Sequence, residues 1–428
     1  MRLNPVSANR LRRTGIYALF GIYMLLMHLP LPYCGDDAYL LPLVGVRGFW
    51  EHFTTLYHYN GKIFTDFSAF LFYHLPYGVW KVFNTASFVL AAALLCRIFT
   101  KNRPRDGLIT CALVAVFPLN YLGTAGYIAT CCNYLYPFVG ILIIGLQMKD
   151  LLQGKFVGIF RHLLALPVMA YVLNQDQAAC ILVGGLLLLL LYCAFLRPTP
   201  KKTLCWVAAY FTVSVVGYTL IFLMPGHLNR MADPLEMNLY LPEFAQWSLP
   251  YKLYRGYTST LAQVFMNDPA VGLLFFFLLG ILSQEKGTIF QKILSFLPLI
   301  GMLAVQIVGA ERFLRFQSEM PDLRSLSALS GLAGLLFGSG CILIMVYLIC
   351  RCVRGQNKFL LLGILILGAG SRLMIGLSAT LYASQQRTFT YLLFSLLAGS
   401  LLLVREMKTK KSQICGTVGI LLTLLLQS

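Results

Sequence analysis

The chain has 428 residues, of which 58% are hydrophobic and 12% are charged, and its mean hydropathy is +0.73. Soluble globular domains carry about 25% charged residues, so the composition excludes an ordinary soluble protein. Apolar runs long enough to cross a bilayer recur along the chain, and the leucine run at 186–191 lacks the alternation of a barrel strand. The composition therefore predicts an all-α, polytopic transmembrane helical bundle.

Hydropathy along the chain predicts about 13 spans, within a range of about 12 to 14. The first is read as a retained helix rather than a cleaved signal peptide, because no small-residue cleavage site follows it before Asp36. The predicted spans lie near 14–33, 82–99, 107–122, 134–150, 159–174, 178–196, 203–223, 269–284, 290–308, 326–350, 359–380, 388–404 and 412–427.

The formal net charge of +18 has a simple explanation in topology. With the arginine-rich N-terminus in the cytoplasm, alternation of the spans places 23 of the 34 lysines and arginines inside, but only 4 of the 16 acids. This is the distribution that the positive-inside rule expects, and it puts the C-terminus outside. The charge therefore indicates contact with membrane lipids, and no nucleic-acid partner is expected.

We expect a single integral-membrane domain over 1–428 with two large outer segments, 34–81 and 224–268. Aromatic and apolar residues at helical spacing predict two interfacial helices in the first segment. The alternative is that 62–81 forms another crossing helix, which would reverse the sidedness of everything that follows.

Polar residues gather at the predicted outer surface. Asp36 and Asp37 follow the first span directly, with Tyr39 close by. Acids near lipid are costly and are often functional, although Asp is also a common helix cap. We treat the pair as a candidate site and keep the cap as the alternative.

Four further groups of polar residues lie at the same predicted level, and each has a plain structural alternative such as a turn or a helix end. The four groups comprise Asn60 with Lys62, Asn133 with Tyr134, Asp176, and His227 with Arg230. Further cations on the predicted outer side are Arg387, Arg312, Arg315, Arg324 and Arg372.

This mixture suits the transfer of a sugar from a lipid phosphate. A carboxylate at the interface can act as general base on an acceptor, and when two carboxylates lie close together their pKa values separate. Arginine and lysine can hold the phosphate leaving group. No spacing of cysteines and histidines typical of a metal site is present.

The order of these pieces resembles the GT-C superfamily of polytopic glycosyltransferases, which use polyprenyl-phosphate sugars. Those enzymes carry an acidic motif directly after the first helix, in a loop with two interfacial helices. More closely, the chain is similar to an uncharacterised bacterial multi-pass family. The matching stretches, in order, are Asp36-Asp37, Asn60-Gly61-Lys62, Asn133-Tyr134-Leu135-Tyr136-Pro137, Asn174-Gln175-Asp176, Pro225 to Arg230, and Arg387-Thr388.

Departures from that family's pattern include Lys62 and His227, where the family has arginine and asparagine; Lys62 keeps the charge but loses the bidentate fork. The resemblance implies a GT-C-like fold in the bacterial cytoplasmic membrane, with the active site on the outer face. It implies Asp37 or Asp36 as the base, with Asp37 slightly favoured.

The donor phosphate would then be held by Lys62, Arg230 and Arg387, and the substrates lined by Tyr39, Asn60, Asn133, Tyr134, Asp176 and His227.

The expected partners are a polyprenyl-phosphate-linked sugar and a glycan or lipid acceptor of the cell envelope. No cofactor is required, because a lipid-monophosphate donor needs no metal to neutralise its charge. The paired acids would nevertheless suit Mg²⁺ or Mn²⁺. A flippase, transporter or polymerase of lipid-linked saccharides, or a non-catalytic assembly subunit, is the alternative function.

Overall fold

The computed structural model describes residues 5–44, 46, 48–232, 234–314 and 326–427. Arg315 and Arg324 lie outside these residues. The regular elements in the described ranges are helical, as predicted. In chain order they are α1 (Pro5–His28), α2 (Gly35–Val44), α3 (Phe49–Tyr59), α4 (Ile63–Tyr73), α5 (Tyr77–Phe99), α6 (Pro104–Ala115), α7 (Tyr127–Leu152), α8 (Ile159–Leu173), α9 (Asp176–Leu196), α10 (Lys201–Phe222), α11 (Pro225–Ala232), α12 (Pro234–Tyr240), α13 (Leu249–Asn267), α14 (Ala270–Lys286), α15 (Ile289–Val308), α16 (Leu326–Cys352), α17 (Asn357–Leu377), α18 (Gln385–Glu406) and α19 (Lys410–Gln427).

The protein has several helices suited to a membrane, which confirms the polytopic prediction. Among the described helices, eight are long and apolar enough to cross, or up to nine if α13 and α14, bent by 78°, form one span. Each of the 13 predicted segments overlaps a helix. However, α6 has 12 residues and measures about 18 Å, which is shorter than the bilayer core. The number of crossings therefore stays a prediction.

The chain divides into two compact units. The first comprises 1–111, 118–243 and 382–391. In this unit α5 packs on α1 and α7, while α9 packs on α10. Trp80 and Phe88 of α5 are completely buried, and they lie around the buried His28 of α1.

The second unit comprises 112–117, 244–381 and 392–428. Its α14 packs against α19 and α16, and α13 packs against α17. Phe275 is completely buried here, and Phe117 stacks on Phe394 at a centroid distance of 4.5 Å. Arg372 is also buried in this unit and donates to Ser259 Oγ at 3.1 Å.

The first predicted outer segment contains α2, α3 and α4. The two expected short helices correspond to α3 and α4, whereas α2 was not predicted. The helices α3 and α4 have 11 residues each, so α4 extends only about 17 Å before the chain turns into α5. This length disfavours α4 as a crossing helix. The second predicted outer segment contains α11, α12 and the whole of α13.

Candidate functional site

Asp37 is completely buried, and both oxygens of its carboxylate accept hydrogen bonds from the protein. Oδ1 accepts from the Tyr73 hydroxyl at 2.7 Å and from the Ala129 N–H at 3.0 Å, while Oδ2 accepts from the Ile128 N–H at 2.8 Å. Asp37 thus caps the N-terminus of α7, where unpaired N–H groups favour an anion. Burial raises the pKa of Asp37 overall, although these three hydrogen bonds act to lower it. This geometry is that of a structural residue.

Close backbone contact fixes the turn that carries the acidic pair. Gly126 has φ +94°, and a Cβ there would lie 2.6 Å from Asp37 Cγ. Gly35 has φ +50° and approaches Ala125, whose carbonyl accepts from the Asp36 N–H at 3.2 Å. Only glycine combines these backbone angles with such proximity.

The Asp36 carboxylate has different surroundings from that of Asp37. The residue is exposed, and two charged side chains from distant segments act on it. Although the residue is exposed, the protein atoms around its carboxyl reduce its hydration and raise the pKa of Asp36; the Arg387 charge lowers this pKa, and the Asp66 charge raises it. The two adjacent carboxylates therefore have different roles. Asp37 packs against the start of α7, whereas Asp36 is influenced by charged side chains from other segments.

The Asn60-Gly61-Lys62 turn rests directly on the start of α11. Gly61 has φ +67°, and a Cβ on Gly226 would lie 2.5 Å from the Gly61 nitrogen. Asn229 of α11 also donates to the His58 carbonyl at 2.9 Å. Two motifs separated by more than 160 residues in the sequence are thus brought into contact by two glycines.

Asn174 supplies the cap that α4 lacks from its own sequence. Its Oδ1 accepts from the N–H groups of Phe64 and Thr65 at 2.9 and 3.1 Å, and its Nδ2 donates to the Gly61 carbonyl at 2.9 Å. Asn174 is buried. It therefore fixes the position of Lys62, the residue that immediately precedes α4.

Asp66 lies in the first turn of α4, held by two side-chain amides. Asn60 Nδ2 donates to its Oδ2 at 2.6 Å, and Asn133 Nδ2 donates to its Oδ1 at 2.8 Å. Asn60 Oδ1 in turn accepts from the Lys62 N–H at 2.9 Å. These hydrogen bonds connect two predicted site residues to a carboxylate that the sequence analysis did not single out.

Asn133 and Tyr134 lie in a π-helical turn, residues 131–135, within α7. Such turns are common at functional sites, because they displace side chains from the regular helical register. Asn133 Oδ1 is buried without a hydrogen-bond partner. The Arg387 charge acts on the Tyr134 side chain.

Asp176 begins α9 and connects the cluster to α10 and α11. Its Oδ1 accepts from the Tyr218 hydroxyl at 3.1 Å and lies 3.9 Å from His227 Nε2. Nearby, Gln177 Nε2 donates to the Thr388 carbonyl at 2.9 Å, which holds the turn that carries Arg387.

Four charged side chains from this region act on Lys62. Burial lowers the pKa of Lys62, and the nearby cations Arg230 and Arg387 lower it further, while Asp66 and Asp176 oppose them. In the described part of the chain, neither Lys62 nor Arg387 forms an ion pair with a carboxylate. Lys62 and Arg387 are therefore close to acids without contacting them in an ion pair.

We call Asp36, Lys62, Asp66, Asp176, Arg230 and Arg387 the charge cluster. Of the residues singled out from the sequence, Tyr39 is not joined to it: the side chain is 72% exposed, and none of the interactions described above involves it. Within the described residues, no group of three or more His, Cys, Asp or Glu side chains is arranged to hold a metal ion. The metal-free reaction remains a prediction.

Asp66 is the main site residue that sequence reasoning missed. One signal was available, because Asp66 is one of only 16 acids in the chain and follows Lys62 by four residues, a spacing that places both on the same face of a helix. The buried environment of Asp37 had no such signal, since its two backbone donors lie about 90 residues further along the chain.

Comparison with protein-family models, curated proteins and solved structures gives no match for this chain.

Proposed function

We propose that the protein is an integral-membrane glycosyltransferase, which moves a sugar from a polyprenyl-phosphate donor to a glycan or lipid acceptor of the cell envelope. One observation carries the proposal. Lys62, Arg230 and Arg387 come from three distant segments, and the charges of both arginines act on Lys62, which forms no ion pair with a carboxylate in the described part of the chain. A membrane protein that gathers three cations in this way has a site for an anion at lipid depth.

The donor phosphate is the anion that fits this cluster best. Arg230 and Arg387 offer planar guanidinium groups that bind phosphate oxygens in a bidentate manner, and Lys62 adds a point charge. Partial burial strengthens these contacts, because charges interact more strongly where water is excluded. The same charges stabilise the phosphate as it leaves with the electrons of the broken bond.

Asp36 is the carboxylate suited to act as base. Asp37 makes three hydrogen bonds and is inaccessible, so we assign it to positioning rather than chemistry. In the proposed step, Asp36 takes the proton of an acceptor hydroxyl while the oxygen of that hydroxyl forms a bond to the anomeric carbon of the donor sugar. The bond from that carbon to the phosphate oxygen breaks, and the lipid phosphate departs.

The remaining polar residues suit substrate positioning. Asp66, oriented by Asn60 and Asn133, can accept a hydrogen bond from a sugar or acceptor hydroxyl. Tyr134, Asp176 and His227 complete the polar lining around Lys62. Inversion at the anomeric carbon, by direct displacement, is what the GT-C resemblance implies.

We further propose a GT-C-like arrangement of 13 spans in the bacterial cytoplasmic membrane, with the N-terminus in the cytoplasm and the charge cluster on the outer face. The overlap of every predicted span with a helix supports this arrangement. So does the presence of short helices α2, α3 and α4 immediately after α1, where GT-C enzymes carry interfacial helices.

The test is transfer of radiolabelled sugar from polyprenyl-phosphate donors in membranes that contain the full-length protein. We expect Asp36→Asn to reduce transfer by about 10²-fold or more, because a neutral amide cannot accept the proton. Glu51→Gln is the matched control, since Glu51 is an exposed acid of α3 outside the cluster.

Full transfer by Asp36→Asn and by Asp66→Asn would contradict the proposed reaction. The flippase becomes the better assignment if neither the wild type nor the variants transfer sugar, while lipid-linked sugar still crosses the membrane in both variants.

A further inference from the structure

A cavity lies at the opposite end of α5 from the charge cluster. It has a volume of about 460 Å³ and is lined by Arg10, Arg13, Thr14 and Tyr17 of α1, Ala93 and Arg97 of α5, and Asn102. Because α5 has 23 residues, its two ends are separated by about 34 Å. The cavity is therefore a separate site, and it lies at the end of an apolar span.

The charge of the cavity wall has one sign. Three guanidinium groups and no carboxylate occur among its described lining residues. The neighbouring cavity differs, because its Lys155 is paired with Asp150 at 3.1 Å. Three arginines that repel one another around a common space favour the binding of an anion there.

Local structure holds part of this wall in place. Asn102 has φ +58°, an uncommon backbone conformation for a residue other than glycine, and its carbonyl accepts from Arg13 Nη1 at 3.2 Å. The Asn102 N–H is itself held by Thr100 Oγ1 at 2.9 Å. The guanidinium of Arg13 is thus oriented before any ligand binds, which reduces the entropy lost on binding.

We propose that this cavity binds the phosphate headgroup of an anionic phospholipid. Guanidinium groups match phosphate geometry, and Arg97 lies in the last turn of a candidate span, the part of such a helix that lipid phosphates approach. The volume is in the range of small-molecule sites, which leaves room for a headgroup beyond the phosphate. Thr14 and Tyr17 add hydroxyl groups to the wall.

The experiment compares lipid retention by the purified full-length protein in phosphatidylcholine nanodiscs with and without phosphatidylglycerol. We expect the wild-type protein to retain phosphatidylglycerol selectively through delipidation with detergent, as measured by native mass spectrometry. Arg13→Gln and Arg97→Gln should each weaken retention about tenfold or more, because each removes a charge-assisted hydrogen bond.

Arg12→Gln is the matched control, because Arg12 is an exposed arginine of the same helix that does not line the cavity. It should retain the lipid as the wild-type protein does. Arg13→Lys keeps the charge but loses the fork, so intermediate retention is expected. An unchanged thermal unfolding midpoint shows that each variant is folded.

Equal retention by the wild type, Arg13→Gln and Arg97→Gln would overturn the proposal. If inorganic phosphate alone protects the wild type, but not Arg13→Gln, against thermal unfolding, and phosphatidylglycerol does not, the cavity takes a free phosphate and the lipid assignment is wrong. Neither outcome depends on sugar transfer, so the test is independent of the proposed function.

Discussion

Asp36 and Asp37 are neighbours in the sequence, and their carboxylates have opposite environments. Asp37 accepts backbone N–H groups with both of its oxygens, whereas Asp36 is exposed and is influenced by Arg387 and Asp66. One carboxylate thus stabilises the N-terminus of α7, and its rigid position fixes where the other can point. At the scale of single residues, stability and proposed chemistry are divided between the two acids.

Asp37→Asn tests the structural role. Both oxygens of Asp37 accept a backbone N–H, so the amide NH₂ of asparagine must face one of these donors in either orientation. We expect a loss of stability of about 2 kcal/mol, measured as a lower thermal unfolding midpoint in detergent. Asp36→Asn is the control and should change stability by less than about 0.5 kcal/mol. Equal midpoints for the two variants would contradict the assignment.

The pH dependence of transfer tests the charges around Asp36. Because its pKa is raised, the acid limb of the rate profile should lie above the ordinary aspartate value of about 3.9. Arg387→Gln removes a charge that favours the carboxylate, so the pKa and the acid limb move to higher pH. Asp66→Asn removes a repelling charge, so both move to lower pH. Shifts in the reverse directions would show that Asp36 is not the titrating group.

At the scale of helices and turns, the site depends on contacts between elements that are distant in sequence. Gly61 and Gly226 let the turn before α4 touch the start of α11, and Asn174 caps α4 from the end of α8. These contacts bring Lys62 and Arg230 together. The packing of these backbone segments against one another therefore positions the side chains of this arrangement.

Gly226→Ala should disrupt this arrangement. The added Cβ would lie 2.5 Å from the Gly61 nitrogen and 2.7 Å from the Tyr57 carbonyl oxygen, and backbone atoms cannot move aside as a flexible side chain can. We expect a loss of about 2–3 kcal/mol in unfolding free energy, measured by thermal unfolding. Gly78→Ala, whose Cβ meets open space in a helix, should be neutral or slightly stabilising. Matching midpoints would contradict the close contact.

Sequence reasoning could locate the helices and most of the polar groups, because both depend on local patterns. It anticipated α3 and α4, and it identified Lys62, Arg230 and Arg387. It could not anticipate that Asp37 is buried, since that depends on Gly126 and on donors about 90 residues away. Likewise, the link from Asn133 to Asp66 spans 67 residues, and no local pattern indicates it.

At the scale of the whole molecule, the protein is a helical membrane protein whose first unit has two distinct ends. The charge cluster lies near one end of α5, and the arginine-lined cavity lies near the other. In the proposed orientation, which follows the positive-inside rule, the cavity faces the cytoplasm and the cluster faces the outer side.

Cysteine labelling tests this sidedness. Cys205 and Cys350, the two exposed native cysteines, are first changed to serine. In intact cells, Tyr39→Cys, on α2, should then react with a membrane-impermeant maleimide, because Tyr39 is 72% exposed. Phe156→Cys, at an 88% exposed position after α7, should react only once the membrane is opened. Labelling of Phe156→Cys in intact cells would reverse the proposed orientation.

The most direct test of the central claim is the binding of a polyprenyl monophosphate to the protein in nanodiscs, because the claim is that Lys62, Arg230 and Arg387 hold a lipid phosphate. We predict that Lys62→Met and Arg387→Gln each weaken binding about tenfold or more. Arg103→Gln, at an exposed position near the other end of α5, should leave binding unchanged. Equal affinity in all four proteins, the wild type included, would contradict the account.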